Sequence, residues 1–262
     1  MDSPVDYRVA DRAAHLTLNS PEKRNALSPA LVGALHQGLR DAVADPEVRM
    51  VVIGHTGGTF CAGADLSAAT GGDPYELAVD RAKEMADLLR ALVECPLPVV
   101  GVIDGHVRAG GMGLVGACDI VVAGPKSTFA LTEARIGVAP AIISMTLLPK
   151  LSPRAAHRYF LTGETFTAAK AHEMGLVTVA ATDVVAELAT IVDALSKGSP
   201  RGLAATKSLT TASILRGFDR DAQRLSEDSA NLFVSDEAHE GMLAFLQKRP
   251  PKWAESANDG PN

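Results

Sequence analysis

Residues 105–116 read GHVRAGGMGLVG and connect a buried strand, Pro98–Ile103, to the next strand at 119–122. The stretch contains a GxGxxG pattern (111–116), which formally matches the dinucleotide-binding fingerprint. That fingerprint needs a full crossover helix and an acidic residue at the end of the following strand. Here the following strand begins almost at once, which leaves room for about two or three helical turns. The spacing therefore argues against a nucleotide-dependent oxidoreductase.

A glycine-rich turn between a strand and a helix can instead bind a polarised or negatively charged oxygen. Backbone N–H groups at the start of a helix have no intrahelical acceptor, and the helix dipole adds partial positive charge there. The stretch FCAGADL (60–66) predicts the same arrangement after the preceding strand. Two such turns can direct two N–H donors at one oxygen, which suits a thioester carbonyl that becomes an enolate. The alternative is that these glycines only permit close packing of helix against sheet.

The composition is that of a globular protein without a strong charge bias. The chain has 262 residues, 47% of them hydrophobic, and can bury a sizeable core. A formal net charge of -6 disfavours a nucleic-acid partner. Residues 1–11 lack the features of a secretory signal and no apolar run reaches membrane-spanning length, so we expect no membrane partner. The three cysteines are odd in number and lack metal-ligand spacing, which favours a cytoplasmic location and predicts no metal site.

Strands that alternate with helices predict an α/β architecture. Ser28-Pro29 is a typical helix start, with a capping hydroxyl before proline, and a long helix is predicted at about 75–94. From about 199 onward the pattern is helical only. Three amphipathic helices are predicted there, at Arg201–Leu215, Asp221–Phe233 and Glu237–Lys248. We therefore predict an α/β core at 1–198 and a helical C-terminal module at 199–262.

Six stretches, including both turns, form a combined pattern along the chain. They are PEKRNALS (21–28), GGTFCAGADL (57–66), IDGHVRAGGMGLVGACDI (103–120), FALTEARIGVAP (129–140), LTGETFTAAKAHEMGLV (161–177) and EGMLAFLQKRPP (240–251). In this order they resemble the enoyl-CoA hydratase/isomerase (crotonase) superfamily. The resemblance runs from about 14 to 249, nearly the whole chain.

The resemblance implies a crotonase-like ββα superhelix with a C-terminal helical trimerisation module, assembled as a homo-hexamer of two trimers. It implies an acyl-CoA thioester substrate and no separate cofactor, because coenzyme A is part of the substrate. The oxyanion N–H groups would be those of Ala64 and Gly110. The residues implied to line the coenzyme A site are Arg24, Ala26, Ala62, Asp65 and Leu66. Phe245 and Lys248 would close over the adenine and phosphate end in a neighbouring subunit, the alternative being ordinary helix packing with a solvated lysine.

Glu133, in LTEAR (131–135), falls at the position of the second of two glutamates that the family's hydratases commonly use. We expect it to be the catalytic acid/base. A partly desolvated glutamate would have a pKa raised toward neutrality, which suits proton exchange. The alternative is a salt bridge with Arg135 or another nearby cation.

The first-glutamate position falls at Gly113, which we place among the substrate-contacting residues. Glycine has no acid/base group, so three hypotheses follow. In the first, hydration proceeds with Glu133 as the only side-chain acid/base and one water carrying the proton. The others are a Δ3,Δ2-enoyl-CoA isomerase, which needs one base, and a non-catalytic acyl-CoA-binding protein. The pattern TExRxGxxPAxIS (132–144) favours the first, because it resembles methylglutaconyl-CoA hydratases that carry the same glycine.

Two further side chains lie next to the predicted turns. Arg108, if it points inward, could pair with a carboxylate on a dicarboxylic acyl group, the alternative being a surface or interface ion pair. Cys61 has no base nearby in sequence, which is typical of a small buried core residue.

Overall fold

The computed structural model describes residues 3–64 and 72–254 and contains two β-sheets with surrounding helices. The strands are Val5–Ala10 (β1), Ala13–Leu18 (β2), Met50–His55 (β3), Thr59–Cys61 (β4), Val99–Ile103 (β5), His106–Arg108 (β6), Ile120–Ala123 (β7), Thr128–Ala130 (β8), Phe166–Thr167 (β9) and Val179–Ala180 (β10). The α-helices are Pro29–Ala44 (α1), Pro74–Glu94 (α2), Gly110–Ala117 (α3), Ala141–Leu147 (α4), Pro153–Thr162 (α5), Ala168–Glu173 (α6), Val184–Ser196 (α7), Pro200–Phe233 (α8) and Asp236–Leu246 (α9). Short 3₁₀ helices lie at Pro21–Lys23, Glu133–Ile136 and Lys252–Ala254.

The strands are shared between the two sheets in a repeating way. One sheet has the order β1-β2-β3-β5-β7-β10 and the other the order β4-β6-β8-β9. The consecutive pairs β3/β4, β5/β6 and β7/β8 each give their first strand to the larger sheet and their second to the smaller one. β3, β5 and β7 pair in parallel, as do β4, β6 and β8. This arrangement confirms the α/β class and the repeated ββα turns.

The predicted helix start at Ser28-Pro29 is confirmed. The Ser28 side chain accepts a hydrogen bond from the Leu31 N–H, and Pro29 is the first residue of α1. Leu31 and Leu35 follow at helical spacing and are fully buried against the sheet. The short helix α3 is also as expected, because it spans only eight residues before β7 begins.

The prediction of separate helices at 201–215 and 221–233 was wrong, because α8 runs unbroken for 34 residues. Ile214 precedes the predicted break, Phe218 lies within it, and both are buried in the main hydrophobic core. A single glycine in a helix costs about 1 kcal/mol, so Gly217 does not outweigh this burial. The proposed boundary between 198 and 199 stays a prediction.

A buried lysine fastens α8 to the α/β core. Lys207 Nζ donates to the carbonyl oxygens of Leu92 (2.9 Å) and Leu97 (3.0 Å) and lies 2.8 Å from Asp119 Oδ2. These contacts fix one end of α8 against the C-terminal end of α2.

The two helices run antiparallel. Arg90 on α2 pairs with Asp219 on α8 at 2.6 Å, closer to the middle of both helices than the Lys207 contact.

Within residues 3–64 and 72–254, no helix combines the length and apolar character needed to cross a bilayer. The same ranges contain no cluster of three or more His, Cys, Asp or Glu side chains suited to a metal ion.

Candidate active site

A cavity of about 200 Å³ brings the three predicted catalytic residues together. Ala64, Gly110 and Glu133 all line it. Its walls are mostly apolar and come from α2, the start of α3, α4 and the last turns of α8. Arg81 and Glu133 are its only ionisable lining residues among those described, and Ser229 supplies a hydroxyl.

The two small-residue turns lie in direct contact beside this cavity. Gly63 has a φ of +94°, and a Cβ built there would lie 2.6 Å from the Ala109 Cβ and 3.1 Å from the Gly110 nitrogen. Only glycine combines this backbone conformation with such close approach. The contact holds Ala64, the next residue, beside the start of α3.

Neither predicted donor uses its backbone N–H on an acceptor among the described residues. The Leu27 N–H donates to the Gly63 carbonyl at 2.8 Å in an isolated bridge, and this pairing does not use the Ala64 N–H. No acceptor for the Ala64 N–H lies among the residues that the structure describes. Gly110 is the first residue of α3, where the N–H has no intrahelical acceptor and the helix dipole is positive.

Ala109, just before Gly110, has a strained backbone. Its φ of 46° and ψ of -122° are rarely adopted by a residue with a side chain. Strain of this kind costs about 1–3 kcal/mol and concentrates at functional sites. Here it allows the chain to turn sharply from β6 into α3 and sets the direction of the Gly110 N–H.

A loop from Arg24 to Leu27 supports the first turn. The Ala62 N–H donates to the Arg24 carbonyl at 3.1 Å. Asn25 is fully buried, and its side chain accepts from the Ser20 N–H (2.7 Å) and donates to two carbonyl oxygens of the strand-to-turn segment, at 56 and 59. Sequence reasoning missed this asparagine, although its place beside Arg24 and Ala26 in the PEKRNALS stretch was a usable signal.

Glu133 is a buried carboxyl with an unusual environment. It begins a 3₁₀ helix after β8, is only 9% exposed, and its Oε2 has no hydrogen-bond partner among the described residues. Burial raises the pKa of Glu133 from 4.5 to about 7, and its own backbone amide opposes this shift. The alternative salt bridge is not formed, because Arg135 Nε instead donates to the Thr162 carbonyl at 2.9 Å.

Comparisons with known proteins agree with this geometry. The family model described as "Enoyl-CoA hydratase/isomerase" matches residues 9–256. The chain belongs to the enoyl-CoA hydratase/isomerase family.

Relatives and solved structures of this family match nearly the full chain. A crystal structure of an enoyl-CoA hydratase from Mycobacterium avium is 65% identical, covers 97% of this chain and 100% of that one, and has a TM-score of 0.92. Enoyl-CoA hydratase EchA19 of Mycobacterium tuberculosis is 31% identical over 94% of this chain and 95% of its own length. A 2,3-dehydroadipyl-CoA hydratase of Escherichia coli is 31% identical over 92% and 94%, respectively. The predicted membership of the family is thus confirmed, while the methylglutaconyl-CoA subgroup stays a prediction.

The family's first-glutamate position, Gly113, is sealed off from the cavity. A Cβ built on Gly113 would lie 2.6 Å from Ile143 Cγ2 and 3.1 Å from Leu89 Cδ1. Ile143 lines the cavity, whereas Gly113 is buried and does not. Gly113 therefore does not line this cavity, and its contact with the substrate stays a prediction.

Arg108 does not point into the cavity. Its guanidinium donates to the carbonyls of Val107 and Thr128 (2.8 Å each) and to the Thr128 hydroxyl (3.0 Å). The suggested pairing with a substrate carboxylate is therefore wrong, because strand β8 uses these donors. Cys61 is a core residue as expected, and burial raises the pKa of its thiol to about 12.

Five other predicted residues that the structure describes do not line this cavity, namely Arg24, Ala26, Ala62, Phe245 and Lys248. Arg24 and Ala26 belong to the supporting loop, next to Ala62. Phe245 and Lys248 lie at the end of α9, where the Phe245 side chain is 64% exposed. Asp65 and Leu66 fall outside the described residues.

Proposed function

We propose that the protein is an enoyl-CoA hydratase, which adds water across the double bond of a 2-enoyl-CoA thioester. The observation that carries this proposal is the shared cavity. One buried carboxyl, Glu133, faces the same space as two turn residues whose backbone N–H groups are available. A carboxyl and an oxyanion hole are the two elements that this addition requires.

The turn amides would stabilise the charge that develops on the thioester oxygen. When water attacks C3, electrons move through C2 to the carbonyl, which becomes an enolate. N–H donors from Ala64 and Gly110 directed at that oxygen favour the enolate over the ground-state carbonyl. Losing one such donor typically costs about 2.7–4 kcal/mol of transition-state stabilisation.

Glu133 would handle the proton in both halves of the reaction. Its carboxylate accepts a proton from the attacking water as the oxygen bonds to C3. The resulting carboxylic acid returns that proton to C2, so one water adds and the product is a 3-hydroxyacyl thioester. A pKa of about 7 suits this double role, because both forms of the carboxyl are populated near neutral pH.

The coenzyme A portion would bind along the supporting loop. By their position in the family pattern, Arg24, Ala26 and Ala62 contact it, together with Asp65 and Leu66. Phe245 and Lys248 would close the adenine end from a neighbouring subunit of a hexamer formed by two trimers. Large apolar side chains exposed on α9, Phe245 (64%) and Leu246 (72%), support an assembly that covers them. Light scattering after gel filtration tests the hexamer.

A cytoplasmic location is part of the same proposal. Cys61, Cys95 and Cys118 are free and buried thiols, which suits a reducing compartment.

The test is a set of matched thioesters. Purified protein should remove the ultraviolet absorbance of crotonyl-CoA, and Glu133→Gln should lower this rate about 10²–10⁴-fold while acyl-CoA binding persists. Glu84→Gln, an exposed glutamate on α2, is the matched control and should leave the rate unchanged. Turnover of 3-enoyl-CoA alone would establish isomerisation instead, and binding without any turnover would establish a non-catalytic acyl-CoA-binding protein.

A further inference from the structure

Arg81 is a charged residue in the cavity wall that the proposed hydration does not use. It lies on the face of α2 that also carries Ala78, Ala82 and Met85, all of which line the cavity. Its side chain makes no hydrogen bond or ion pair with any other residue of the described structure.

A hydroxyl from a second helix lines the same cavity. Ser229 lies on α8, in the cavity wall, and its side chain has no hydrogen-bond partner among the described residues. The cavity thus has two unused donor groups from two different helices.

Nearby acidic groups do not neutralise Arg81. Asp228, beside Ser229 in sequence, is paired with Arg224 at 2.9 Å. Glu133 lines the same cavity but lies beyond the 4.0 Å limit for an ion pair with Arg81. An arginine stays charged at all physiological pH values, so a half-exposed positive charge lies in the wall of a mostly apolar cavity.

The ligand that best satisfies such a group is a carboxylate. A guanidinium binds a carboxylate through two parallel N–H···O bonds, which are stronger than neutral hydrogen bonds. A purely hydrocarbon acyl chain would remove water from the guanidinium and return no hydrogen bond, which is costly. The cavity is therefore mismatched to a simple fatty acyl group and matched to one that ends in an acid.

We propose that Arg81, assisted by the Ser229 hydroxyl, makes the enzyme selective for 2-enoyl-CoA substrates whose acyl chain ends in a carboxylate. The inference rests on the proposed function for the reaction, but it concerns the binding of the acyl group. It can therefore be measured without turnover.

The first measurement is binding of saturated, unreactive thioesters. Calorimetry should show that adipyl-CoA binds about 10- to 100-fold more tightly than hexanoyl-CoA, which has the same chain length without the acid. Arg81→Met should abolish this difference and leave hexanoyl-CoA binding unchanged or tighter, whereas Arg81→Lys should retain part of it. Lys83→Met removes one positive charge from the exposed face of the same helix and should change neither affinity.

The second measurement is kcat/KM for 2,3-dehydroadipyl-CoA against hex-2-enoyl-CoA, with the same variants. Wild-type protein should have the higher kcat/KM for the acid-terminated substrate. Arg81→Met should lower kcat/KM for that substrate and leave kcat/KM for hex-2-enoyl-CoA unchanged. Equal affinity of wild-type protein for the two saturated thioesters would overturn the inference. If Arg81→Met weakened the affinity for both saturated thioesters equally, the inference would also be overturned. Arg81 would then bind the coenzyme A phosphates or serve only in packing. Selective binding without turnover would refute hydration and leave this inference standing.

Discussion

Replacing Glu133 with glutamine should make the protein more stable, by an amount that depends on pH. The wild-type carboxyl is buried, its Oε2 has no partner among the described residues, and its pKa is raised from 4.5 to about 7. Glutamine has nearly the same shape but carries no charge at any pH. The difference between the two proteins therefore isolates the free energy of ionising a carboxyl in this site.

The sign and size follow from proton linkage. Between pH 4.5 and about 7 the folded protein holds a proton on Glu133 that the unfolded chain has lost. Wild-type stability is therefore highest below pH 4.5 with respect to this group, and is lost as pH rises through the folded pKa of about 7. At about 1.36 kcal/mol per pH unit the loss approaches roughly 3 kcal/mol. For a chain of this size that corresponds to about 6 °C in Tm.

The assay is thermal unfolding of both proteins from pH 4 to 8.5, in the absence of ligand. The Tm difference, variant minus wild type, should be constant below pH 4.5. It should rise between pH 4.5 and the folded pKa of about 7, and then level off. Glu84→Gln should give a difference that is small and flat, because that carboxyl is exposed. A flat difference for Glu133→Gln would refute the reasoning, because it would mean that the carboxyl titrates as it does in water. The same group predicts that wild-type kcat/KM for hydration falls below pH 7.

Three other substitutions test the architecture of the site and its support. Gly63→Ala should destabilise the protein by about 3 kcal/mol, measured by urea denaturation, because the new Cβ would collide with Ala109. It should also lower turnover at least 100-fold in steady-state kinetics, because the collision would displace an oxyanion donor. Gly113→Glu should lower Tm without raising activity, since an isoleucine fills the space beside it; higher kcat in this variant would contradict the sealed position. Lys207→Met should cost about 3–5 kcal/mol in urea denaturation by removing the buried cation from the partly buried Asp119 carboxylate and from the carbonyl oxygens of Leu92 and Leu97, and a loss below 1 kcal/mol would contradict that account.

The fold could be predicted from sequence where local signals were strong. Ser28-Pro29 begins α1 because a hydroxyl cap and a fixed φ act within one turn of helix. The break predicted between 215 and 221 failed for the opposite reason. Charged residues and Gly217 between 216 and 220 indicate a break when only the local sequence is considered. Burial of Ile214 and Phe218 against α2 decides the outcome, and that contact is between residues far apart in sequence.

In the candidate site, too, local sequence signals predict some features, and contacts between distant residues decide others. The family pattern singled out Ala64, Gly110 and Glu133, and all three line one cavity, because each belongs to a turn with its own sequence signature. It did not reveal that Ile143 covers Gly113, since thirty residues separate the two in the chain. Nor could it say which arginine faces the acyl group. Side-chain direction depends on packing between elements, which no local motif contains.

The sealing of Gly113 has a consequence for how one carboxyl can serve the whole reaction. A site that had lost a glutamate and kept its space would leave room for water or substrate there, but here Ile143 and Leu89 fill that space with hydrocarbon. Hydrocarbon on that side contributes to the low polarity of the cavity that Glu133 faces, and low polarity is what raises its pKa to about 7. A glutamate with an ordinary pKa would be an adequate base and a poor acid at neutral pH. For the hydration proposed above, glycine at the family's first-glutamate position and the hydrocarbon packed against it therefore act in the same direction, toward a single group, Glu133, able to accept the proton from water and return it to carbon.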